Sequence, residues 1–423
     1  MMAELGRTHV LATWIVLVAL LALANLFGNA SPYIYLAVLV AAWPVLLLDG
    51  EVRRSMNRWE SYAYLLAFLG LLIAFTFAAG GWEHFNNVGN FLPFLLFIPA
   101  IGLMNKSAGH GHTKVIAILA LVGAIMSLGM ALYDVSISGL PRAVGWVNTT
   151  NPFAVMCIML GFLALMGFWA FSGWRRYVFF IGPVAGLYAT VLAGTRSVLM
   201  IVMALAAIFI VFVAVRLAPR ARIILAGAAI AGAGLAVAAI IVLGENVRAF
   251  RALESIYLFV AEGEAIDRSV AMRLELFRGG ILAFLQEPIF GHGWRHHVEA
   301  ARPFMIDTTI ADDVAGWSHL HNDYINFAAL AGVFGLLAYF IYLLVPIIAT
   351  WRSIRDSQFH ERLYGAFVMV ACYAIYGMFG SAFAAEMLLC FGPVFTAVLL
   401  GYCKDDPDGQ AQFLGRSEPA QDH

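Results

Sequence analysis

Residues 196–217 read RSVLMIVMALAAIFIVFVAVRL, an apolar run between Arg196 and Arg216. As a helix, a run of this length crosses a bilayer core of about 30 Å. Because lipid offers no water to the backbone, an apolar run without strand alternation satisfies its hydrogen bonds as a helix. Similar blocks recur, and 62% of the 423 residues are hydrophobic while 12% are charged, about half the charged share of a soluble domain. The sequence therefore predicts an all-α integral membrane protein, and its net charge of −1 argues against a nucleic-acid partner.

The apolar blocks predict about twelve transmembrane helices. They lie approximately at residues 9–28, 32–49, 60–80, 87–104, 114–136, 151–171, 177–194, 196–217, 221–243, 320–350, 363–380 and 383–402. The two blocks that meet at Gly194 need a turn there, because together they are about twice as long as one crossing. Four parts follow, with spans one to nine in residues 1–243, a long loop in 244–318, spans ten to twelve in 319–402 and a short tail in 403–423.

Basic residues in the short loops predict the orientation, because cytoplasmic loops carry an excess of Lys and Arg. With the N-terminus inside, the short outer loops carry Arg142 and Arg196. The inner loops then carry Arg53, Arg54, Arg58, Lys106, Lys114, Arg175, Arg176, Arg216, Arg220, Arg222, Arg352, Arg355 and Arg362. Both termini are therefore expected in the cytoplasm, and the 244–318 loop is expected outside the membrane.

The outer side of this topology is rich in arginine. Its basic residues are Arg142, Arg196, Arg248, Arg251, Arg268, Arg273, Arg278, Arg295 and Arg302. The arginine fork binds phosphate or carboxylate bidentately and stays charged when partly desolvated, so this concentration favours an anionic ligand. Arginines that only cap helices or snorkel to the interface are the alternative interpretation.

Within the long loop, Ser269–Gln286 is predicted to form an amphipathic helix that lies on the membrane surface. Its apolar stripe at helical spacing consists of Val270, Leu274, Phe277, Ile281 and Leu285. Arg273 and Arg278 fall on opposite flanks of that stripe, about 70° to either side. The two arginines at headgroup level either anchor lipid headgroups or bind a lipid-linked phosphate, and periodicity alone does not separate these readings.

The stretch Ser318-His319-Leu320-His321-Asn322 enters the tenth span from outside. A histidine at this boundary can move protons near neutral pH, whereas a histidine without a role is the alternative. A nearby group matches no standard metal-ligand spacing, so no metal site is predicted from His292, His296, His297, Asp312 and Asp313.

The cysteines are interpreted as reduced packing residues because they fall in or beside apolar blocks, at positions Cys157, Cys372, Cys390 and Cys403.

Four motifs, in order over roughly residues 140–345, resemble the O-antigen ligase and polymerase superfamily. His321-Asn322, nine residues, Gly332, two residues and Gly335 are similar to its histidine motif. Gly194-Thr195-Arg196 resembles its arginine turn, and Asn151-Pro152 its outer Asn-Pro element. Arg273 followed by Pro288 and Gly291-His292-Gly293 resembles the stretch in its long outer loop. The resemblance implies a GT-C type glycosyltransferase fold in the bacterial inner membrane, with a periplasmic active site.

The resemblance also implies the reaction. Such enzymes take a glycan from undecaprenyl diphosphate, and ligases attach it to the lipid A core oligosaccharide. His321 is then the general base for the acceptor hydroxyl, with a pKa that operates near neutrality, and Arg196 and Arg273 neutralise the leaving diphosphate. The transfer inverts the anomeric centre and needs neither metal nor another cofactor. Substrate contacts are expected from Arg142, Arg278, His319 and Asn322.

Two other functions are kept open. An O-antigen polymerase joins lipid-linked repeats, and the single long outer loop favours a ligase only slightly. A transporter of the lipid-linked glycan is the alternative outside enzymology. Ion-coupled transporters place ionisable groups at mid-membrane, whereas Glu386 and Asp134 lie near the outer ends of predicted spans.

Overall fold

The structure, a computed structural model, describes residues 2–79, 81–109, 111–195, 198–222, 268–294 and 296–405. In these ranges every regular element is helical. The α-helices are Met2–Leu17, Ala24–Phe27, Ser31–Leu48, Gly50–Met56, Trp59–Phe77, Phe97–Lys106, His112–Leu132, Thr150–Ala164, Met166–Ala170, Ile181–Ala193, Val198–Val215, Arg268–Gln286, His296–Ala301, Thr308–Asp313, Asp323–Trp351, Phe359–Tyr376 and Glu386–Ala397. Shorter 3₁₀ or π elements are Val18–Ala22, Gly28–Ala30, Gly81–Leu96, Tyr133–Ile137, Gly145–Val147, Gly173–Phe180, Arg302–Phe304 and Val398–Tyr402.

Eight helical stretches in the described ranges are long and apolar enough to cross a membrane. They are Ala24–Trp43, Trp59–Phe77, Asn87–Lys106, His112–Ile137, Thr150–Ala170, Gly173–Ala193, Val198–Val215 and Asp323–Trp351. Two shorter apolar helices, Thr8–Ala22 and Glu386–Tyr402, coincide with the first and last predicted spans. The predicted span 363–380 overlaps the helix Phe359–Tyr376, and the predicted span 221–243 lies almost wholly outside the described residues. The described part of the chain is thus all-helical and has the apolar helices of a multi-pass membrane protein, and the count of twelve stays a prediction.

Small residues allow the membrane helices to approach closely. A Cβ on Gly161 would lie 2.6 Å from the Gly182 carbonyl oxygen, and one on Gly186 would lie 2.5 Å from the Cys157 carbonyl oxygen. Lipid tails are as apolar as leucine, so helices in a membrane gain affinity from such close backbone packing rather than from hydrophobicity. This contact joins Thr150–Ala164 to Ile181–Ala193, the helix that ends at the Gly194 turn.

The helix Asp323–Trp351, called the long helix below, is interrupted near its outer end. Ala331 (φ −139°, ψ 17°) and Gly332 (φ 60°, ψ −144°) have non-helical backbones. A break in a helix leaves backbone groups that need new partners. Residues 288–293, called the docking segment, supply them through three bonds: His292 N–H to the Ala329 carbonyl at 2.9 Å, Gly293 N–H to the Leu330 carbonyl at 2.9 Å, and Val333 N–H to the Pro288 carbonyl at 2.8 Å.

Glycines make this contact sterically possible. A Cβ on Gly332 would lie 2.3 Å from the Ile289 carbonyl oxygen, and one on Gly291 would lie 2.5 Å from the Ala331 nitrogen. Gly335 is equally confined, with a Cβ position 2.0 Å from the Phe327 carbonyl oxygen. Gly291 and Gly332 also have φ values of 68° and 60°, which L side chains rarely adopt. Gly291 and Gly332 are therefore required by the close contact of the docking segment with the long helix, and Gly335 by the approach of the long helix to its own Phe327 carbonyl across the break.

Replacing Gly332 with Ala is expected to lower the free energy of unfolding by about 1–3 kcal/mol or more, because positive φ and the clash with Ile289 act together. Thermal unfolding of the detergent-purified protein measures the loss. Gly129→Ala is the matched control, since a Cβ there meets no atom within 4 Å. Equal unfolding temperatures for the two variants would contradict the account of the break.

The helix Arg268–Gln286, called the outer helix, confirms the helix predicted at Ser269–Gln286. Its buried face consists of Glu275, Leu276, Gly279, Gly280 and Ala283, and it packs against the long helix and His296–Ala301. The predicted apolar stripe lies on the opposite side, and near its end Ile281 and Leu285 are 48% and 62% exposed. Gly279, Gly280 and Ala283 therefore face the protein together with Leu276, and Ile281 and Leu285 face outward, whereas Phe277 packs against the protein.

Residues 268–294 and 296–320, called the outer segment, also form a small hydrophobic core of their own. Leu276 and Ala283 pack with Val298, Ile310 and Leu320. Ion pairs surround it: Arg302 Nη1 lies 2.7 Å from Glu299 Oε2, Arg302 Nη2 lies 3.1 Å from Asp312 Oδ1, and Arg268 pairs with Asp313. Within the part of the chain that the structure describes, no three His, Cys, Asp or Glu side chains are arranged to hold a metal ion.

Candidate active site

His321 lies where the outer segment meets the long helix. It is half-buried, and its φ of 55° is in the left-handed region. Its backbone N–H donates to His319 Nδ1 at 3.3 Å, and the two ring centroids are 4.2 Å apart. The Trp317 ring lies 5.1 Å from the His321 ring. The predicted base thus lies beside two aromatic rings, those of Trp317 and His319, just before the long helix.

The residues after His321 fix the start of the long helix. Asn322 is the N-cap, with its side-chain oxygen accepting from Ile325 N–H at 3.1 Å and its amide donating to the Met378 carbonyl at 3.3 Å. Asp323 is fully buried, and its carboxylate accepts from Ser381 Oγ at 2.6 Å and from Ala382 N–H at 2.8 Å. Asn322, predicted to contact substrate, therefore has capping bonds, which satisfy helix N–H groups and hold His321 beside residues 377–382.

Two of the predicted arginines on the outer helix are placed differently. Arg273 is close enough to His321 for its charge to lower the pKa of that imidazole. Arg278 is exposed on the opposite flank of the outer helix. The prediction that the two arginines lie on opposite flanks of the apolar stripe is confirmed. Of the two, Arg273 is the arginine whose charge reaches His321.

Arg142 lies beside the Gly194 turn. A Cβ on Gly194 would be 3.3 Å from Arg142 Nε, and Ala143 N–H donates to the Leu192 carbonyl at 3.0 Å. Gly194 has a φ of 66°, as the predicted turn requires. Thr195 Oγ1 is buried with no hydrogen-bond partner among the described residues. Arg196, a predicted catalytic residue, lies outside the described residues.

The pKa of His321 differs from the expected near-neutral value. Burial lowers it to about 3, and the nearby His319 and Arg273 add to the effect. Desolvation and a neighbouring cation both disfavour imidazolium. A near-neutral pKa is therefore wrong for the protein without substrate. The imidazole is instead neutral throughout the physiological range, which is the form that accepts a proton.

This shift predicts the pH dependence. A base with a lowered pKa stays unprotonated as the pH falls, until the pH reaches that lowered value. Protonation of His321 is therefore expected not to lower kcat/KM between about pH 8 and pH 5. Initial rates of glycan transfer across this range measure it, because kcat/KM reports the free enzyme. An acid limb with a midpoint near 6.5 that disappears in a His321 variant would contradict the expectation.

Two further residues of the site were missed in the sequence. His297 and Asn326 are buried, and His297 Nε2 lies 2.8 Å from Asn326 Oδ1. The same oxygen accepts from Leu320 N–H at 3.0 Å, next to His321. The sequence offered His297 only as a metal-ligand candidate. The one available signal was Asn326, a polar residue one helical turn after Asn322 within an apolar span.

Together these features define a class: a multi-pass membrane protein, all-helical in its described residues, with His321 at the junction of the outer helix and a long membrane helix. Residues 181–340 match the family model described as O-antigen ligase. The match contains the Gly194 turn, the described outer segment and His321, and it places this part of the chain in the O-antigen ligase superfamily. This confirms the resemblance and implies a glycosyltransferase-like enzyme of the O-antigen ligase and polymerase group. No curated protein matches the chain.

Proposed function

We propose that this protein transfers O-antigen glycan from undecaprenyl diphosphate to the lipid A core oligosaccharide at the periplasmic face of the bacterial inner membrane. The observation that carries the proposal is a neutral imidazole, His321, at the start of the long helix, within range of the charge of Arg273 on the outer helix. One of these groups suits a hydroxyl nucleophile and the other suits an anionic leaving group. The family match over residues 181–340 supports the same reaction class.

The donor is bound through its diphosphate. The outward apolar stripe sets the outer helix at the membrane surface, which brings Arg273 to the depth of lipid headgroups. A guanidinium there binds diphosphate oxygens bidentately and stays charged when partly desolvated. Arg142, beside the Gly194 turn, adds positive charge, and Arg196, which follows Thr195 in the sequence, is proposed to do the same. Membrane lipid around the stripe holds the isoprenoid tail, so the donor approaches from the bilayer.

The acceptor is activated by His321. An acceptor sugar hydroxyl attacks the anomeric carbon while its proton moves to a ring nitrogen of His321. The bond from the anomeric carbon to the diphosphate oxygen breaks, and undecaprenyl diphosphate leaves with the electron pair. Attack opposite the leaving group inverts the anomeric centre. His319 and Trp317 border the imidazole and are positioned to contact the acceptor.

No metal or other cofactor is part of this mechanism. Charge develops on the diphosphate as it leaves, and fixed arginine charges stabilise it without reorganisation. The binding of a doubly negative diphosphate beside Arg273 also offsets the cation that lowers the His321 pKa. The base therefore strengthens as the donor binds, which links proton transfer to a loaded site.

The polymerase and transporter alternatives are separated by the acceptor. The purified protein, reconstituted with a lipid-linked glycan, is given either lipid A core or a second lipid-linked repeat. Transfer to lipid A core is the expected result. Transfer to the lipid-linked repeat alone would make the protein a polymerase, and movement of unreacted donor across the bilayer without any conjugate would make it a transporter.

The membrane arrangement is part of the proposal. Twelve spans of a GT-C type fold, with both termini cytoplasmic, place residues 244–318 in the periplasm between the spans in 1–243 and those in 319–402. The tail, 403–423, then lies in the cytoplasm. Labelling of single cysteines at position 316 and at position 404 with a membrane-impermeant reagent in intact spheroplasts tests this, with labelling expected at position 316.

A further inference from the structure

The backbone of His321 needs support from its surroundings. A non-glycine residue at a φ of 55° costs about 1–3 kcal/mol and persists only when neighbouring groups hold it. His319 holds the His321 N–H on one side, and the Asn322 cap holds the chain that follows. The third support must act on the peptide group of Leu320, the residue that precedes His321 and is fully buried.

Asn326 holds that peptide. Its side-chain oxygen accepts from Leu320 N–H at 3.0 Å. Because a backbone N–H can only donate, the atom that faces it is oxygen, and the carboxamide has one possible orientation. The same oxygen meets His297 Nε2 at 2.8 Å, so that nitrogen carries a proton. Asn326 is 1% exposed and His297 is 0% exposed, so water does not compete for either bond.

The His297 ring is neutral and has one tautomer. Burial lowers the pKa of His297 to about 4, so the ring carries a single proton near pH 7. That proton is on Nε2 and points at Asn326. The backbone N–H of His297 donates to the Gly293 carbonyl oxygen at 3.3 Å, which ties the residue to the end of the docking segment. A chain of contacts therefore runs from the docking segment through His297 and Asn326 to the peptide before His321.

We propose that His297 and Asn326 are positioning residues that hold the imidazole of His321 in its reactive orientation. The inference rests on the proposed role of His321 as the general base. His297 belongs to the helix His296–Ala301 of the outer segment, and Asn326 belongs to the long helix. The pair thus couples the segment that carries Arg273 to the residue that takes the proton, and its loss affects the chemical step more than donor binding.

The test compares a disruptive with a conservative variant of His297 in the full-length, reconstituted protein. His297→Leu removes the Nε2–H donor and is expected to lower kcat by about 10²-fold, because small misplacement of a reacting group has effects of that size. KM for a lipid-linked glycan donor is expected to stay near the wild-type value. His297→Gln, whose amide nitrogen can replace Nε2, is expected to restore most of kcat.

A second pair of variants serves if His297→Leu does not fold. Asn326→Asp keeps the oxygen that accepts both bonds, whereas Asn326→Leu removes it, and only the latter is expected to lose kcat. His292→Gln is the matched control, since the His292 ring is also buried but bonds the Ala283 carbonyl at 2.8 Å. A folded His297→Leu with wild-type kcat, or equal losses in the Leu and Gln variants, would overturn the inference. Full activity of a His321 variant would instead overturn the proposed function.

Discussion

Replacing His321 with Ala is expected to lower the turnover of glycan transfer by about 10²–10⁴-fold, the range that a general base contributes. Binding of the lipid-linked donor is expected to persist, because the diphosphate is held by arginine and not by the imidazole. The physical reason for the loss is that the variant lacks the imidazole proposed to take the proton of the acceptor hydroxyl. Steady-state turnover and a separate donor-binding assay on the reconstituted protein measure the two effects.

A second variant separates chemistry from backbone strain. Asn tolerates positive φ better than most residues, so His321→Asn keeps the turn at a φ of 55° and removes the base. His321→Asn is expected to unfold at the wild-type temperature, and both variants are expected to be equally inactive. Transfer near the wild-type rate in a folded His321→Asn protein would rule out His321 as the base.

Replacing Arg273 with Ala is expected to lower kcat/KM for the donor by about 10²–10³-fold, as the loss of a group that stabilises developing charge does. Arg278→Ala is the matched control. Both arginines lie on the outer helix and flank one apolar stripe, but Arg278 is exposed, whereas the charge of Arg273 contributes, after burial and His319, to the lowered pKa of His321. Arg278→Ala is expected to have a small effect, because an exposed arginine at the rim contributes little.

The Arg273 variants also shift the pH dependence. The charge of Arg273 lowers the pKa of His321, so Arg273→Gln is expected to raise that pKa toward its ordinary value and to move the acid limb of kcat/KM to higher pH. Arg273→Lys keeps the charge but loses the planar fork, so it is expected to keep the acid limb while losing donor affinity. Equal effects of Arg273→Ala and Arg278→Ala would contradict the assignment of the diphosphate contact.

The helical elements were predictable because their signals are local. The apolar blocks, the Gly194 turn and the bounds of the outer helix follow from composition and periodicity over one or two turns. The direction of the apolar stripe was also predictable, since the small residues Gly279, Gly280 and Ala283 occupy the opposite side. Asn322 as an N-cap is equally local, a polar residue at the start of an apolar run.

The contacts that assemble the site were not predictable, because they join distant residues. The break at Ala331 and Gly332 is stabilised by backbone groups some forty residues earlier, and a glycine in a span does not say which backbone approaches it. From its sequence neighbours, His297 could be considered only as a metal ligand. Its hydrogen-bond partner, Asn326, lies on another element and is not recognisable from local spacing. The low pKa of His321 depends on burial, and burial is a property of the fold.

The docking segment changes the interpretation of the outer loop. A loop that covers a site only as a lid would be held by side chains and would open without breaking backbone pairing. Here three backbone bonds fasten residues 288–293 to the long helix at its break. These bonds tie the end of the outer helix to the long helix, so the part of the loop that carries Arg273 cannot separate from the long helix without breaking backbone pairing.

The most direct test of the central claim follows a single turnover of labelled glycan on undecaprenyl diphosphate, with purified protein, lipid A core and a chelator. The predicted result is one glycan–lipid A core conjugate of inverted anomeric configuration for each undecaprenyl diphosphate released, with none formed by His321→Asn. Retention of the anomeric configuration, loss of transfer on chelation, or a conjugate formed equally well by His321→Asn would contradict a metal-independent transfer catalysed by His321.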